Sequence, residues 1–404
     1  MTAAPAPRPS PYAAFGPYRL LFPFGVLYAL AGAVVWLLAA PGWIPYPGPL
    51  HRELMIEGFE LSFITGFLLT AMIGFLHAPR ATFGEVVAVA AGLAGFGVCA
   101  AMGAGLAAQV CALEALGVTV ATLARRVPVR TANPPEEFVF VAFGLLCGLC
   151  GVVLLALSAA GVVSEPSPNF GVRLMSLGMV LSLVLGLGTL LVPPFAGIPR
   201  GLELPGLAAA HERRGRRPLY AALVLMLGAA FVADARWAFG VGAWLRALAG
   251  TPLLLLGWKV FSRQSHATLH AWSLRLAGVF VLAALWWAAL VPTQMVAAFH
   301  VLFIGGFGLL TMAIATRVVV SHGRFALETE RRVLLPEVVA SLVIALVLRI
   351  LAELVPAPVR APLVPASGAM WALAWLTWAW RAVPLMLQPR DEQVVTVRVS
   401  ERRP

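Results

Sequence analysis

Hydrophobic residues run in blocks along this chain, and polar residues collect in the breaks between them. Apolar segments about twenty residues long recur from end to end, and that is the length a helix needs to cross about 30 Å of hydrocarbon. They fall near residues 18–40, 56–77, 83–103, 105–124, 136–160, 171–192, 218–234, 239–258, 271–291, 295–317, 333–355 and 364–387. The pattern predicts an all-α, polytopic transmembrane helix bundle of about twelve spans, forming a single transmembrane domain over residues 18–388. Helices of this kind satisfy their own backbone polar groups internally, as lipid requires. Composition agrees: 60% of residues are hydrophobic, 12% are charged, and mean hydropathy is +0.89. A soluble globular domain is excluded.

The polar breaks set the topology. Residues 1–17 are rich in Pro and Ala and hold no apolar run, so they are expected to form a disordered cytoplasmic tail and not a cleaved signal. The basic segment 193–217, which contains HERRGRR, is expected to be a cytoplasmic linker joining two halves. Residues 389–404 are expected to be a cytoplasmic C-terminal tail. Twenty-two Lys and Arg residues lie in the tails and even-numbered loops, whereas the odd loops hold only Arg52, Arg173, Arg236 and Arg360. That asymmetry places both termini and the even loops in the cytoplasm. The net charge of +11 is therefore topological, with the lipid bilayer as its partner and no nucleic acid implied. All four cysteines lie in apolar runs, which argues against a disulfide framework. Cys147 and Cys150 read as a close helix contact or as a redox or metal pair.

Seven histidines are the main candidate chemistry, because imidazole is uncommon in lipid and ligates iron, copper and zinc well. His51 and His300 enter spans two and ten from the outer face, while His77, His266, His270 and His322 sit at cytoplasmic ends. His51 and His77 are 26 residues apart, and His300 and His322 are 22 apart. At helical rise those separations are about 39 and 33 Å, so an outer pair and an inner group are distinct. Met55 and Gly58 follow His51 at helical spacing and give a slim face able to admit a flat macrocycle. Phe303 and Phe307 follow His300 as aromatic walls. Two readings remain open on these facts: axial histidines to a haem, or unrelated interfacial histidines.

His266 and His270 are spaced i, i+4, a geometry for a possible second metal or for helix-end capping. Arg317, His322 and Arg324 cluster at one helix end, suited to an anionic group such as a haem propionate or a lipid phosphate. Charges within spans are costly unless paired. Glu57, Glu60 and Glu114 are therefore candidate proton or cation sites, which keeps open a proton-coupled or metal/haem transporter. Arg349 and Glu353 read as an i, i+4 ion pair. A faint internal echo pairs GFLLTAM (66–72) with GFGLLTM (306–312).

Three stretches resemble the NnrS family of bacterial membrane proteins: YRLLFPFGVLYALAG (18–32), HRELMIEGFELSFITGFLLTA (51–71) and FHVLFIGGFGLLTMAIATRVVVSHGR (299–324). Met55, Gly58, Phe59 and residues 66–71 match the first family motif, and His300, Gly305, Gly308, Thr316, Arg317, His322 and Arg324 match the second. The resemblance implies a multi-pass protein of the bacterial inner membrane, holding haem b and associated with copper. It also implies a role in nitric oxide response, by gas binding or by electron transfer with a partner. Glu53 and Leu54 stand where the family motif carries a second His and a Glu, which puts copper in doubt. The architecture is also similar to the haem–copper oxidase catalytic subunit, where histidines of spans two and ten ligate one haem. That similarity pairs His51 with His300 as haem-iron ligands. No second His lies two residues from His300, and spans six and seven carry none, so an oxidase-type copper centre is not expected.

Overall fold

Each predicted segment becomes a helix, and three of the helices go to the centre. A computed structural model describes residues 16–388 except 167–168, 199–206, 238, 264 and 266. The predicted tails 1–17 and 389–404 thus lie almost wholly outside the described residues. The helices are α1 (Tyr18–Ala39), α2 (Gly48–Phe75), α3 (Phe83–Ala101), α4 (Gly105–Ala124), α5 (Phe138–Ala159) and α6 (Phe170–Phe195). They continue as α7 (Leu207–Arg236), α8 (Gly240–Gly257), α9 (Leu269–Leu290), α10 (Pro292–His322), α11 (Pro336–Leu354) and α12 (Ala357–Leu387). Ten of these are long and apolar enough to cross a membrane, and α11 with its lead-in Leu327–Val333, bent by 50°, makes an eleventh. The 31-residue α12 carries Trp371, Trp375, Trp378 and Trp380, whose indoles make it less apolar than its neighbours.

Burial separates the layers. In α2, α6 and α10, 67%, 83% and 72% of the span is buried, against 39–50% in the other spanning helices. The remaining helices close around those three, with α4 on α5, α8 on α9 and α12 on α1. The chain therefore reads as three quartets, the second helix of each standing inside. The expected basic linker is shorter than 193–217, because α6 runs to Phe195 and α7 begins at Leu207. Leu, Ala and Arg are strong helix formers, so helix persists into the basic segment where hydropathy falls.

All three inner helices are π-wound near their first turns, over Leu54–Glu60, Leu174–Val180 and Val301–Gly308. The first two read Leu-Met-x-x-Gly, 120 residues apart, and continue with Ser62 and Gly66 against Ser182 and Gly186. The echo between 66–72 and 306–312 is thus out of register with the repeat that the winding defines. π-winding adds a residue to the turn and re-aims the side chains that follow.

Both chain ends come to the basic end of the bundle. The Tyr18 and His322 rings lie 6.3 Å apart, and the Arg19 guanidinium donates to the Met386 carbonyl at 2.8 Å. Aromatic packing fixes α12 against the inner layer. Phe59 meets Trp375 at 5.0 Å, Phe63 meets Trp375 at 5.2 Å, and Trp378 donates to the Thr316 hydroxyl at 2.9 Å. Edge-to-face pairs of this kind contribute roughly 0.5–1.5 kcal/mol each beyond burial. Arg246 of α8 meets a partner that the sequence did not announce, Asp234 of α7, in a fully buried ion pair. Gly242 leaves the room for that carboxylate, since a Cβ there would sit 2.0 Å from Asp234 Oδ1. Cys147 packs on Gly178 of α6 while Cys150 is exposed, the arrangement of a helix contact and not of a thiol pair.

Gly188 of α6 lies directly under the Trp258 indole at the end of α8, where an added Cβ would fall 1.9 Å from the ring. Gly188→Ala should therefore lower stability by about 1–3 kcal/mol or more, the usual cost of overpacking. Thermal unfolding in detergent reads it, and the increment caused by Gly188→Ala should shrink in a Trp258→Ala background, where the clash is gone. An unchanged midpoint for Gly188→Ala would mean that α6 and α8 are not this close.

Candidate functional site

The site is built where α2 and α10 enter the bundle side by side. His51 and His300 line one cavity of about 230 Å3, together with Trp36, Arg52, Met55, Phe59, Glu60, Phe299, Phe303, Phe307, Arg349 and Trp371. The cavity is walled by α1, α2, α6, α10, α11 and α12, so it faces protein on every helix it touches.

Each imidazole is oriented by its backbone partner. His51 Nδ1 is 2.7 Å from the Gly32 carbonyl of α1, and His300 Nδ1 is 2.7 Å from the Val296 carbonyl one turn back. A carbonyl only accepts, so Nδ1 carries the proton in both rings and Nε2 keeps its lone pair. Each His thereby keeps Nε2 unprotonated, with Nδ1 held by a backbone carbonyl. Trp36 stands edge-on to His51 with centroids 5.7 Å apart and limits its rotation. Gly32 is required here, because a Cβ would lie 2.6 Å from Met55 Sδ and 3.8 Å from His51 Nδ1.

The expected residues divide in two. His51, His300, Met55, Phe303 and Phe307 come together in the cavity. Gly58 does not; it faces α1, where its Cα side meets the Tyr28 ring at 2.6 Å from an added Cβ. The π-winding over Leu54–Glu60 is the reason. It carries His51, Met55 and Phe59 round to one face four residues apart, with Glu60 beside them, and turns position 58 away.

Arg317, His322 and Arg324 also lie elsewhere, at the basic end of α10, and they do not reach the histidine cavity. Arg317 donates to Glu330 at 3.1 Å and covers the Phe195 ring at 4.6 Å. His322 lines a separate cavity with Ser321, and Arg324 takes a left-handed turn after the helix. One helix length separates the two ends, so these cations cannot serve a group held by His51 and His300. His266 lies outside the described residues. His270, at the start of α9, donates from Nε2 to the Ala313 carbonyl at 3.0 Å and presents Nδ1 to Glu330 at 3.9 Å. Among the described residues, no group of three or more His, Cys, Asp or Glu side chains could hold a metal.

Sequence reasoning missed the basic residues of the cavity itself. Arg349 lines it while paired to Glu353, which also accepts from Arg360 at 3.0 Å, and Arg52 lines it while donating to Asn169 at 2.6 Å. The sequence gives the Arg349–Glu353 ion pair, which the structure contains, but the cavity that Arg349 faces depended on how α11 packs. The carboxylates also separate. Glu60 lines the cavity, Glu57 is buried toward α4 and accepts from Gln109 Nε2 at 2.7 Å, and Glu114 is exposed on the outer face of α4.

A bundle of apolar helices, ten of them long and apolar enough to span a membrane among the described residues, defines a multi-pass membrane protein, with His51 and His300 lining one cavity. The chain belongs to the NnrS family: the family model described as NnrS protein matches residues 14–390. A search of curated proteins returns no match.

Gln109→Leu should leave the Glu57 carboxyl buried without its donor and cost about 1–3 kcal/mol, whereas Glu57→Leu with Gln109→Leu should be close to neutral. Denaturant or thermal unfolding of the purified protein compares them. A double variant no more stable than Gln109→Leu would refute the pairing.

Proposed function

We propose that this chain is a haem b protein of the bacterial inner membrane that acts in nitric oxide response, with Nε2 of His51 and Nε2 of His300 as the axial ligands. The observation that carries this reading is the matched pair of Nδ1–carbonyl hydrogen bonds, which leaves two Nε2 lone pairs on one cavity. Two protein donors are too few for a tetrahedral metal site, but they complete the coordination of an iron that brings a macrocycle with it. The donor set therefore fits a haem. At about 230 Å3 the cavity is near the small end of ligand pockets, so loading requires side chains to give way. Phe299 and Phe303 are half-buried on its wall and have the freedom to do so.

When bound, a haem held by His51 and His300 would supply one-electron chemistry, and a diatomic gas such as nitric oxide could bind if one of these histidines let go. The chain's own residues bind and orient. Gly32 and Val296 hold the imidazole tautomers, Trp36 and Trp371 exclude lipid and water, and Arg52 and Arg349 are the cations suited to propionates in place of Arg317 and Arg324. The excess of basic residues at the end opposite the histidines orients this cavity toward the outside.

Copper is a second reading favoured by Met55. Its thioether sits against Gly32 beside His51, and two imidazoles with a thioether suit Cu(I). Transport through Glu114 loses its support, because that carboxylate faces away from the bundle interior.

Purified protein should show a reduced Soret band and a positive pyridine haemochrome, and His51→Ala or His300→Ala should each lose most of that haem. Stoichiometric haem retained in both variants would overturn these ligands. Copper without haem, lost in Met55→Ala, would select the second reading.

A further inference from the structure

The histidine cavity abuts a second cavity on the axis of the bundle, the two sharing lining residues. Glu60 and Val180 line both, and the second, of about 90 Å3, is walled by α2, α6 and α10 with Phe22 of α1. Phe67, Leu191 and Ile314 line both this second cavity and a third, of about 280 Å3, which ends at Arg317, Ser321 and His322. Three cavities therefore follow one another from the histidines to the basic end.

Glu60 and Thr311 are the polar side chains lining the middle cavity, and the next polar groups line the third cavity beyond it. Glu60 is buried and hydrogen-bonded to the Thr311 hydroxyl at its upper end, and Arg317, Ser321 and His322 lie below. Between them come Ile64, Phe67, Leu183, Val184 and Leu187. Thr311 and Arg317 are six residues apart on α10, about 9 Å along the helix. A cavity of 90 Å3 has room for about three waters at ~30 Å3 each. Three waters at hydrogen-bond spacing of ~2.8 Å reach about that far. Apolar walls make such a file transient, so the segment conducts only when wetted. Glu57, by contrast, is held off the axis by Gln109. A carboxyl placed at the junction of two cavities, deep among helices, is a functional feature before it is a packing one.

We propose that the axis of α2, α6 and α10 is a proton-uptake route from the basic end to Glu60, which takes up or releases a proton as the histidine pocket gains or loses an electron. The proposal rests on the redox reading of that pocket. An external one-electron donor supplies the electron. As the pocket gains one negative charge, an O–H bond forms at the Glu60 carboxylate with a proton from water at the basic end; oxidation reverses both. The other charged or titratable groups facing Glu60 are His51 and Arg52 on α2, His300 on α10 and Arg349 on α11, with Arg317 and His322 at the far end of the axis. From α6 and α12 the cavity receives Ser176, Val180, Ser367 and Trp371, none of which carries charge.

The test uses the purified holoprotein, dithionite as reductant, and Glu60→Gln. In the natural sequence the midpoint potential should fall as pH rises through part of the neutral range, and the reduced-minus-oxidised infrared spectrum should contain a protonated-carboxyl band. Glu60→Gln should keep its haem, flatten that slope and lose the band. Val184→Phe and Ile64→Phe, at half-buried positions facing the middle cavity, should keep the equilibrium slope but slow proton uptake by about tenfold, read with a pH indicator in stopped flow. Glu60→Gln with the natural slope and band, or unslowed uptake in the plugged variants, would overturn the route. Protein without any redox centre would instead overturn the reading of the pocket, which the optical spectrum reports independently.

Discussion

Everything polar in this protein depends on one constraint: backbone and side-chain polar groups cannot face hydrocarbon unsatisfied. The bundle meets it by placing three helices inside a ring of nine. The inner helices α2, α6 and α10 then carry groups that lipid would forbid, among them His51, Glu57, Glu60 and His300. The ring supplies their partners, as Gln109 of α4 does for Glu57 and the Gly32 carbonyl of α1 does for His51. Glycines such as Gly32 and Gly188 let the two layers approach closely enough for this to work.

The same packing decides which nitrogen of each histidine is available. His51 and His270 have opposite tautomers imposed by carbonyls of neighbouring helices, Nδ1 protonated in one and Nε2 in the other. The first lines a cavity that His300, with the same Nδ1–carbonyl bond, also lines. The second presents Nδ1 to the Glu330 carboxylate within a buried cluster that includes Arg317. Equal residue types thus have unequal surroundings, a cavity at one end of the bundle and an ion-pair network at the other. The π-winding at matched depth in all three inner helices adds the rotation that gathers His51, Met55, Phe59 and Glu60 on one face.

The amino-acid sequence alone determined the helical class, the positions of the spanning segments and the collection of positive charge at one end. Those follow from hydropathy and charge, which are local or summed properties. It also separated His51 and His300 from the remaining histidines, because helical rise fixes distance along a span. Tertiary structure decided the rest. The i, i+7 reading that put Gly58 beside His51 assumed a regular α-helix, and π-winding turns that position to Tyr28. Arg317 and Arg324 matched a motif but stand one helix length from the histidines, while packing of α11 brought Arg349 to the cavity beside Arg52. Likewise Asp234 found Arg246, and Glu60 found the axis, through contacts between helices that no spacing along one helix encodes. The physical reason is common to all of them: the sequence specifies depth in the membrane, and only packing specifies which way a side chain faces at that depth.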